Sequence, residues 1–172
     1  DGFKPNEIIH MVIEGGDLST SAKSTGLGII ELSTAFNNLK PDIVLTVADR
    51  FETIATAIAA SYSNIPLAHV QGGEISGSID EKVRHAVSKL SDIHFVATEK
   101  SKERLIKMGE SIDSVFLTGC PSIDIVKTVV ENSLFKEFNP FDSYGGVGNK
   151  FDPKCEYLVV LQHPVTTEYS DT

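Results

Sequence analysis

Tryptophan is absent from this chain of 172 residues, and cysteine occurs only twice, at Cys120 and Cys155. The two cysteines have neither metal-like nor redox spacing, so no disulfide framework is expected and a reducing cytosol fits best. No apolar run approaches the roughly 20 residues that a membrane span needs, and no secretory leader is visible. A membrane partner is therefore not expected. Basic residues are scarce: 15 Lys and Arg stand against 24 Asp and Glu, a net charge of −9. Nucleic acid as main partner is excluded on that balance, because phosphate backbones want clustered cations. One small phosphorylated ligand held by one or two local cations is not excluded. GxGxxG, a Walker loop, HExxH and paired CxxC are all missing, so no metal and no nicotinamide cofactor is expected. The chain opens on Asp1, not Met, and its natural N-terminus is expected to be missing.

What is present is an alternation of strands and helices. Residues 8–13 form a short apolar run that reads as a strand ending at Gly15-Gly16. Apolar residues then recur at helical spacing from Ser19 to Leu39, with Gly26 and Gly28 weakening the first half. Ile43–Ala48 is almost continuously apolar, as in strands buried on both faces. An alanine-rich helix is expected over 51–63, a strand over 65–70 and a helix from Ile79 to Leu90. Ile93–Ala97 reads as a strand. Thr98 then caps a helix over Glu99–Met108 that Gly109 ends. Val115–Thr118 is the next strand, and Pro121 opens a helix over Ile123–Val130. The pattern predicts a parallel α/β sheet with right-handed crossovers. Residues 132–155 have no apolar period and read as a linker or long loop. Tyr157–His163 reads as one more buried strand. The division expected is 1–131, linker 132–155, and 156–172 as the first strand of a second domain.

Chemistry concentrates on one glycine-rich stretch, His69–His85. It leaves a strand, passes Gly72, Gly73 and Gly77, and enters a helix near Ile79. It carries His69, His85, Glu74, Asp80 and Glu81. Asp49 and Arg50 end the preceding strand, and parallel sheets bind ligands at the carboxyl ends of their strands. Acids crowded beside one Arg suit proton transfer next to an anionic group. Each residue has a plainer reading. Asp49 caps the following helix, Arg50 pairs with Glu52 or Asp49, and His85 pairs with Glu81 one turn away. His10 and His94 read as structural. His163, at a strand end, is either a core histidine or a ligand contact. A metal among His69, Glu74 and Asp80 lacks any signature.

Three ordered segments carry a resemblance: Ala48-Asp49-Arg50-Phe51-Glu52, His69-Val70-Gln71-Gly72-Gly73-Glu74 through Asp80-Glu81, and Arg84-His85-Ala86-Val87-Ser88-Lys89-Leu90. With Gly119-Cys120-Pro121-Ser122 and Leu161–Thr167, they resemble the UDP-N-acetylglucosamine 2-epimerases, in particular the hydrolysing branch that begins sialic acid synthesis. The resemblance implies a Rossmann-like half of a two-domain glycosyltransferase-B-type fold. It implies conversion of UDP-N-acetylglucosamine and water to N-acetylmannosamine and UDP through a glycal, without a cofactor. The implied acid–base positions are Asp49 and Asp80, with Glu81 beside it, and the implied substrate contacts are Arg50, His85 and His163; Glu74 is expected as a further catalytic residue, and His69 and Gln71 as further substrate contacts. A UDP-sugar, a cytoplasmic homo-oligomer, and a chain too short for turnover by itself are further expectations. The alternatives are a UDP-diacetylbacillosamine 2-epimerase and a non-catalytic nucleotide-sugar-binding relative. Two departures stand out. Gln71 replaces a Glu that some relatives use in catalysis, and a neutral amide is no general base. Val47-Ala48 replaces a frequent His-Gly.

Overall fold

The computed structural model describes residues 2–15, 18–77, 79–132, 138, 139, 141, 144, 147–149, 152 and 155–161. It divides into two compact units, Asp1–Cys120 and Pro121–Thr172.

In the first unit the order is α1 (Leu18–Leu39), β1 (Val44–Val47), α2 (Phe51–Tyr62), β2 (Leu67–Val70), α3 (Ile79–Leu90), β3 (Ile93–Val96), α4 (Glu99–Lys107), a 3-10 turn at Ile112–Ser114 and β4 (Val115–Leu117). The strands form one parallel sheet in the order β1-β2-β3-β4. The α/β class with a parallel sheet is thus as the alternation predicts. Thr98 caps α4 by accepting from the Ser101 N–H, as expected. In the second unit Pro121 is the first residue of α5 (Pro121–Glu131), where its missing N–H costs nothing.

Three expectations fail, each for a physical reason. Residues 8–13 are not a strand. Met11 instead buries its side chain against α1, where the absent Cβ of Gly28 leaves room: a methyl there would lie 2.4 Å from Met11 Cε and 3.1 Å from Ala55 Cβ. The Ile13 N–H donates to Ser24 Oγ at 2.9 Å, so this segment's polar backbone is served by a helix side chain. Gly28 thus has a packing role as well: its missing side chain lets Met11 and Ala55 approach α1.

β1 is not buried on both faces. Val44 and Thr46 are buried, while Leu45 is 58% exposed. Chain-order neighbours joined by right-handed crossovers place α2, α3 and α4 on one face. That face holds the core of Val44, Leu67, Ala57, Ala60 and Val87, and a second cluster of Val96, Leu105 and Val115. On the opposite face Leu45, Val47 and Phe116 stay about half exposed, and Phe95 lies 5.9 Å from Phe116.

The run at 157–163 forms no strand over its described part, residues 157–161. A strand needs a neighbour to take its backbone hydrogen bonds, and the sheet of the described residues has four members only.

Candidate functional site

The carboxyl ends of β1 and β2 share an uncommon backbone feature. Ala48 (φ +68°) and Gln71 (φ +63°) both adopt the left-handed region although neither is glycine. Each still donates its N–H to the neighbouring strand, Ala48 to Val70 O at 3.1 Å and Gln71 to Phe95 O at 2.9 Å. The ladder thus runs to its last rung and the chain then turns sharply. Strained non-glycine turns cost on the order of 1–3 kcal/mol and cluster at functional positions.

Asp49 follows Ala48 and forms an ion pair with Arg84. Arg84 is only 7% exposed. It also donates to Glu74 O at 3.0 Å and approaches Ser76 Oγ at 3.4 Å, tying β1, the glycine loop and α3 together. Burial lowers the guanidinium from its ordinary value. Asp49 is therefore no helix cap: the N-cap of α2 is Arg50, whose side chain makes no cap bond.

The glycine loop is held by its own requirements. Gly73 has φ +77°, and a Cβ there would stand 2.6 Å from Ser101 O, so no side chain fits. The Gly73 carbonyl accepts from Arg104. Glu81 Oε2 accepts from the N–H groups of Gly77 at 2.7 Å and Ser76 at 3.0 Å. These two backbone donors hold its carboxyl below its ordinary range. Expected as catalytic, Glu81 is occupied as the clasp of the loop onto α3, an arrangement akin to a capping box. Asp80 is partly exposed on the first turn of α3. It lies one turn before Arg84, hence on the same helix face as the Asp49 pair.

The other expected residues separate. Arg50 turns outward, its side chain 72% exposed, to Glu52 at 3.2 Å and over the Phe51 ring. This is the plainer surface reading. His85 lies 4.0 Å from Glu81 Oε1, and its Nδ1 is buried without a hydrogen-bond partner. Gln71 Nε2 donates toward Cys120 Sγ at 3.4 Å. His69, expected as a substrate contact, is 0% exposed. Its Nε2 meets Ala48 O at 2.9 Å and its Nδ1 meets Ser88 Oγ at 3.1 Å. Burial pushes its pKa down to about 4, against the pull of the Ala48 carbonyl. His94 beside it is likewise pushed down by burial, opposed by Glu110 at 3.4 Å. Its structural reading stands. His163 lies outside the described residues. Among the described residues no group of three or more His, Cys, Asp or Glu is placed to hold a metal ion, and no helix is long and apolar enough to cross a membrane.

Arg84 went without a role in the sequence reading. The signal was present: a lone Arg four residues after Asp80 and four before Ser88 shares the helix face that looks toward the strand ends.

A parallel α/β sheet whose carboxyl strand ends bring the acid Asp49 to the arginine Arg84 defines a Rossmann-like half of the kind that binds nucleotides in its carboxyl-end crevice. More narrowly, this chain belongs to the UDP-N-acetylglucosamine 2-epimerase family, which it matches over residues 2–172. It is 42% identical over 168 residues to a hydrolysing UDP-N,N'-diacetylbacillosamine 2-epimerase from Legionella pneumophila, a match covering 98% of this chain and 42% of that protein. It is 35% identical over 147 residues to the UDP-N-acetylglucosamine 2-epimerase of Neisseria meningitidis, covering 83% of this chain and 36% of that one. The Neisseria meningitidis enzyme crystallised with UDP-N-acetylglucosamine superposes with a TM-score of 0.63 at 30% identity, over 70% of this chain and 33% of that one. The chain thus spans less than half the length of these relatives.

Proposed function

We propose that these residues contribute the acid–base half of a hydrolysing UDP-sugar 2-epimerase. The observation that carries this is the Asp49–Arg84 pair at the carboxyl end of β1, with Asp80 one turn before Arg84 on α3, in a chain of this family. Relatives named as hydrolysing, 42% and 34% identical, support that branch. In the proposed reaction a carboxylate at this site takes the C2 proton and the C1–O bond to UDP breaks, leaving a glycal. Water then adds its oxygen at C1, and a carboxyl returns a proton to C2 on the other face. Asp49 and Asp80 are the proposed acid and base, Glu74 lies on the loop between them, and Glu81 serves by shaping that loop. His85 and Gln71 are proposed to line the sugar side, and His163 to contact the diphosphate. Arg50, exposed on the rim, is proposed to meet the nucleotide.

UDP-N-acetylglucosamine is the substrate proposed first, giving N-acetylmannosamine for sialic acid synthesis. A second reading, UDP-diacetylbacillosamine, is favoured by the name of the Legionella relative. Gln71 in place of a Glu supports a third, binding without turnover. The same proposal includes a domain boundary within 132–155, a cytoplasmic homo-oligomer, and inertness of the 172 residues alone.

The test is proton NMR of the full-length protein with UDP-N-acetylglucosamine in D2O. Free N-acetylmannosamine deuterated at C2, with UDP released, is expected. Deuterated UDP-N-acetylmannosamine without UDP release would exclude the hydrolysing route. No change with this sugar and turnover of UDP-diacetylbacillosamine would establish the second reading, and no turnover of either the third.

A further inference from the structure

A closed circuit of contacts surrounds the root of Asp49. Ala48, immediately before it, offers its carbonyl to His69 Nε2 at 2.9 Å. His69 Nδ1 is 3.1 Å from Ser88 Oγ. Ser88 Oγ is 3.0 Å from the carbonyl of Arg84. The Arg84 guanidinium then returns to Asp49. His69 and Ser88 are fully buried. Gly72 closes the circuit from above: a Cβ on it would stand 2.9 Å from both His69 Nδ1 and Ser88 Oγ.

The proton positions follow from the partners. A carbonyl only accepts, so His69 carries its proton on Nε2 and donates to Ala48 O. Its Nδ1 is then an acceptor, and the Ser88 hydroxyl supplies the proton. That hydroxyl also faces the Arg84 carbonyl, so one proton serves two acceptors. A buried imidazole between Ala68 and Val70 is an expensive way to fill a strand position, since an apolar side chain would need no partners. The expense has one visible product, the fixed left-handed turn at Ala48 from which Asp49 projects.

We propose that His69 is a positioning residue that sets the Asp49 carboxylate through the Ala48 carbonyl, with Ser88 and Arg84 completing the frame. This rests on the reading of Asp49 as an acid–base group of a UDP-sugar 2-epimerase. His69 never meets the substrate; it acts by denying the Ala48 turn any other conformation. His69→Phe keeps a planar aromatic ring, somewhat larger, and removes both bonds, and His69→Gln restores a donor toward Ala48.

The test uses the full-length protein. Nitrogen-15 spectra of the wild type should show His69 as the neutral tautomer protonated at Nε2 at pH 7. His69→Phe should move the Asp49 Cγ resonance and lower kcat about 10²-fold, the scale of a misplacement of about 1 Å. KM should stay within about twofold, because the bound ground state is untouched. His69→Gln should recover most of kcat. A proton on Nδ1, or an unmoved Asp49 resonance with unchanged kcat, overturns the proposal. If His69→Phe does not fold, Ser88→Ala removes one hydroxyl and should move the same two resonances; unmoved resonances overturn it equally. A wild type that turns over no UDP-sugar refutes the reaction, while the tautomer and the Asp49 resonance still decide the positioning.

Discussion

Asp49 and Arg84 stand 35 residues apart in the chain and form a part-buried ion pair that joins the end of β1 to the middle of α3. Removing one partner leaves the other charge in a partly hydrated place, which costs less than the about 3–5 kcal/mol of a fully buried pair. Arg84→Met is therefore expected to destabilise by about 1–3 kcal/mol, and Arg84→Met with Asp49→Asn by less than the sum of the two. Urea unfolding of the four species gives the coupling. Strict additivity would mean that the pair contributes nothing.

Asp49→Asn and Asp80→Asn should each lower kcat by about 10²–10⁴, the range of a lost general acid or base. Arg50→Ala is a comparison for stability only, since Arg50 is itself proposed to meet the nucleotide. Its exposed pair with Glu52 carries little energy, and stability should change by less than about 1 kcal/mol. Equal losses of kcat from Asp49→Asn and from a remote surface variant would argue against a chemical role for Asp49.

Two glycines and one alanine predict a graded series. Gly73→Ala meets a backbone oxygen at 2.6 Å in a positive-φ conformation and should be severely destabilising. Gly77→Ala has a positive φ and open space, so only the conformational penalty remains, about 1–2 kcal/mol. Ala48→Gly should relieve strain and raise stability or leave it level, while freeing the turn beneath Asp49. Thermal unfolding ranks the three, and the reverse order would contradict the backbone geometry.

His69 makes stability pH-dependent in a definite direction. Its folded pKa of about 4 lies below its ordinary 6.5, so the unfolded chain binds the extra proton first. The contribution is whole above about pH 6.5 and is lost as pH falls toward 4, by about 3 kcal/mol in all. His94, lowered by the same cause, adds in the same sense. Urea midpoints at pH 7.5, 5.5 and 4.5 should fall in turn, and His69→Phe should flatten the slope. An unchanged slope in that variant would assign the acid sensitivity elsewhere.

The helices of the first unit and the strands of the sheet were readable from periodicity because each has a covered stripe or run; α5 was readable from its own spacing and Pro121, without any buried residue. What misled was context. Ile8–Ile13 is apolar enough for a strand, yet only Met11 is buried, against Gly28 of α1, while the Ile13 N–H donates to Ser24, and nothing in its own residues reveals that partner. Ile43–Ala48 has the composition of a doubly covered strand, but coverage depends on strand order, which composition does not encode. At the site, Asp49 and the glycine loop were legible as ionisable groups on turns. The assignment of Arg84 over Arg50 was not, because burial and not residue type decides which arginine reaches the acid. His69 shows the same limit: its place at a strand end suggested contact with a ligand, whereas its side chain points among its own neighbours.

Because strand order equals chain order, each strand of the sheet touches only the units before and after it in the sequence. Every strand pairing in the first unit therefore closes a loop of a single crossover helix, near the shortest connection a parallel pair allows. The ion pair of Asp49 with Arg84 spans two such crossovers, linking the end of the first strand to the helix after the second.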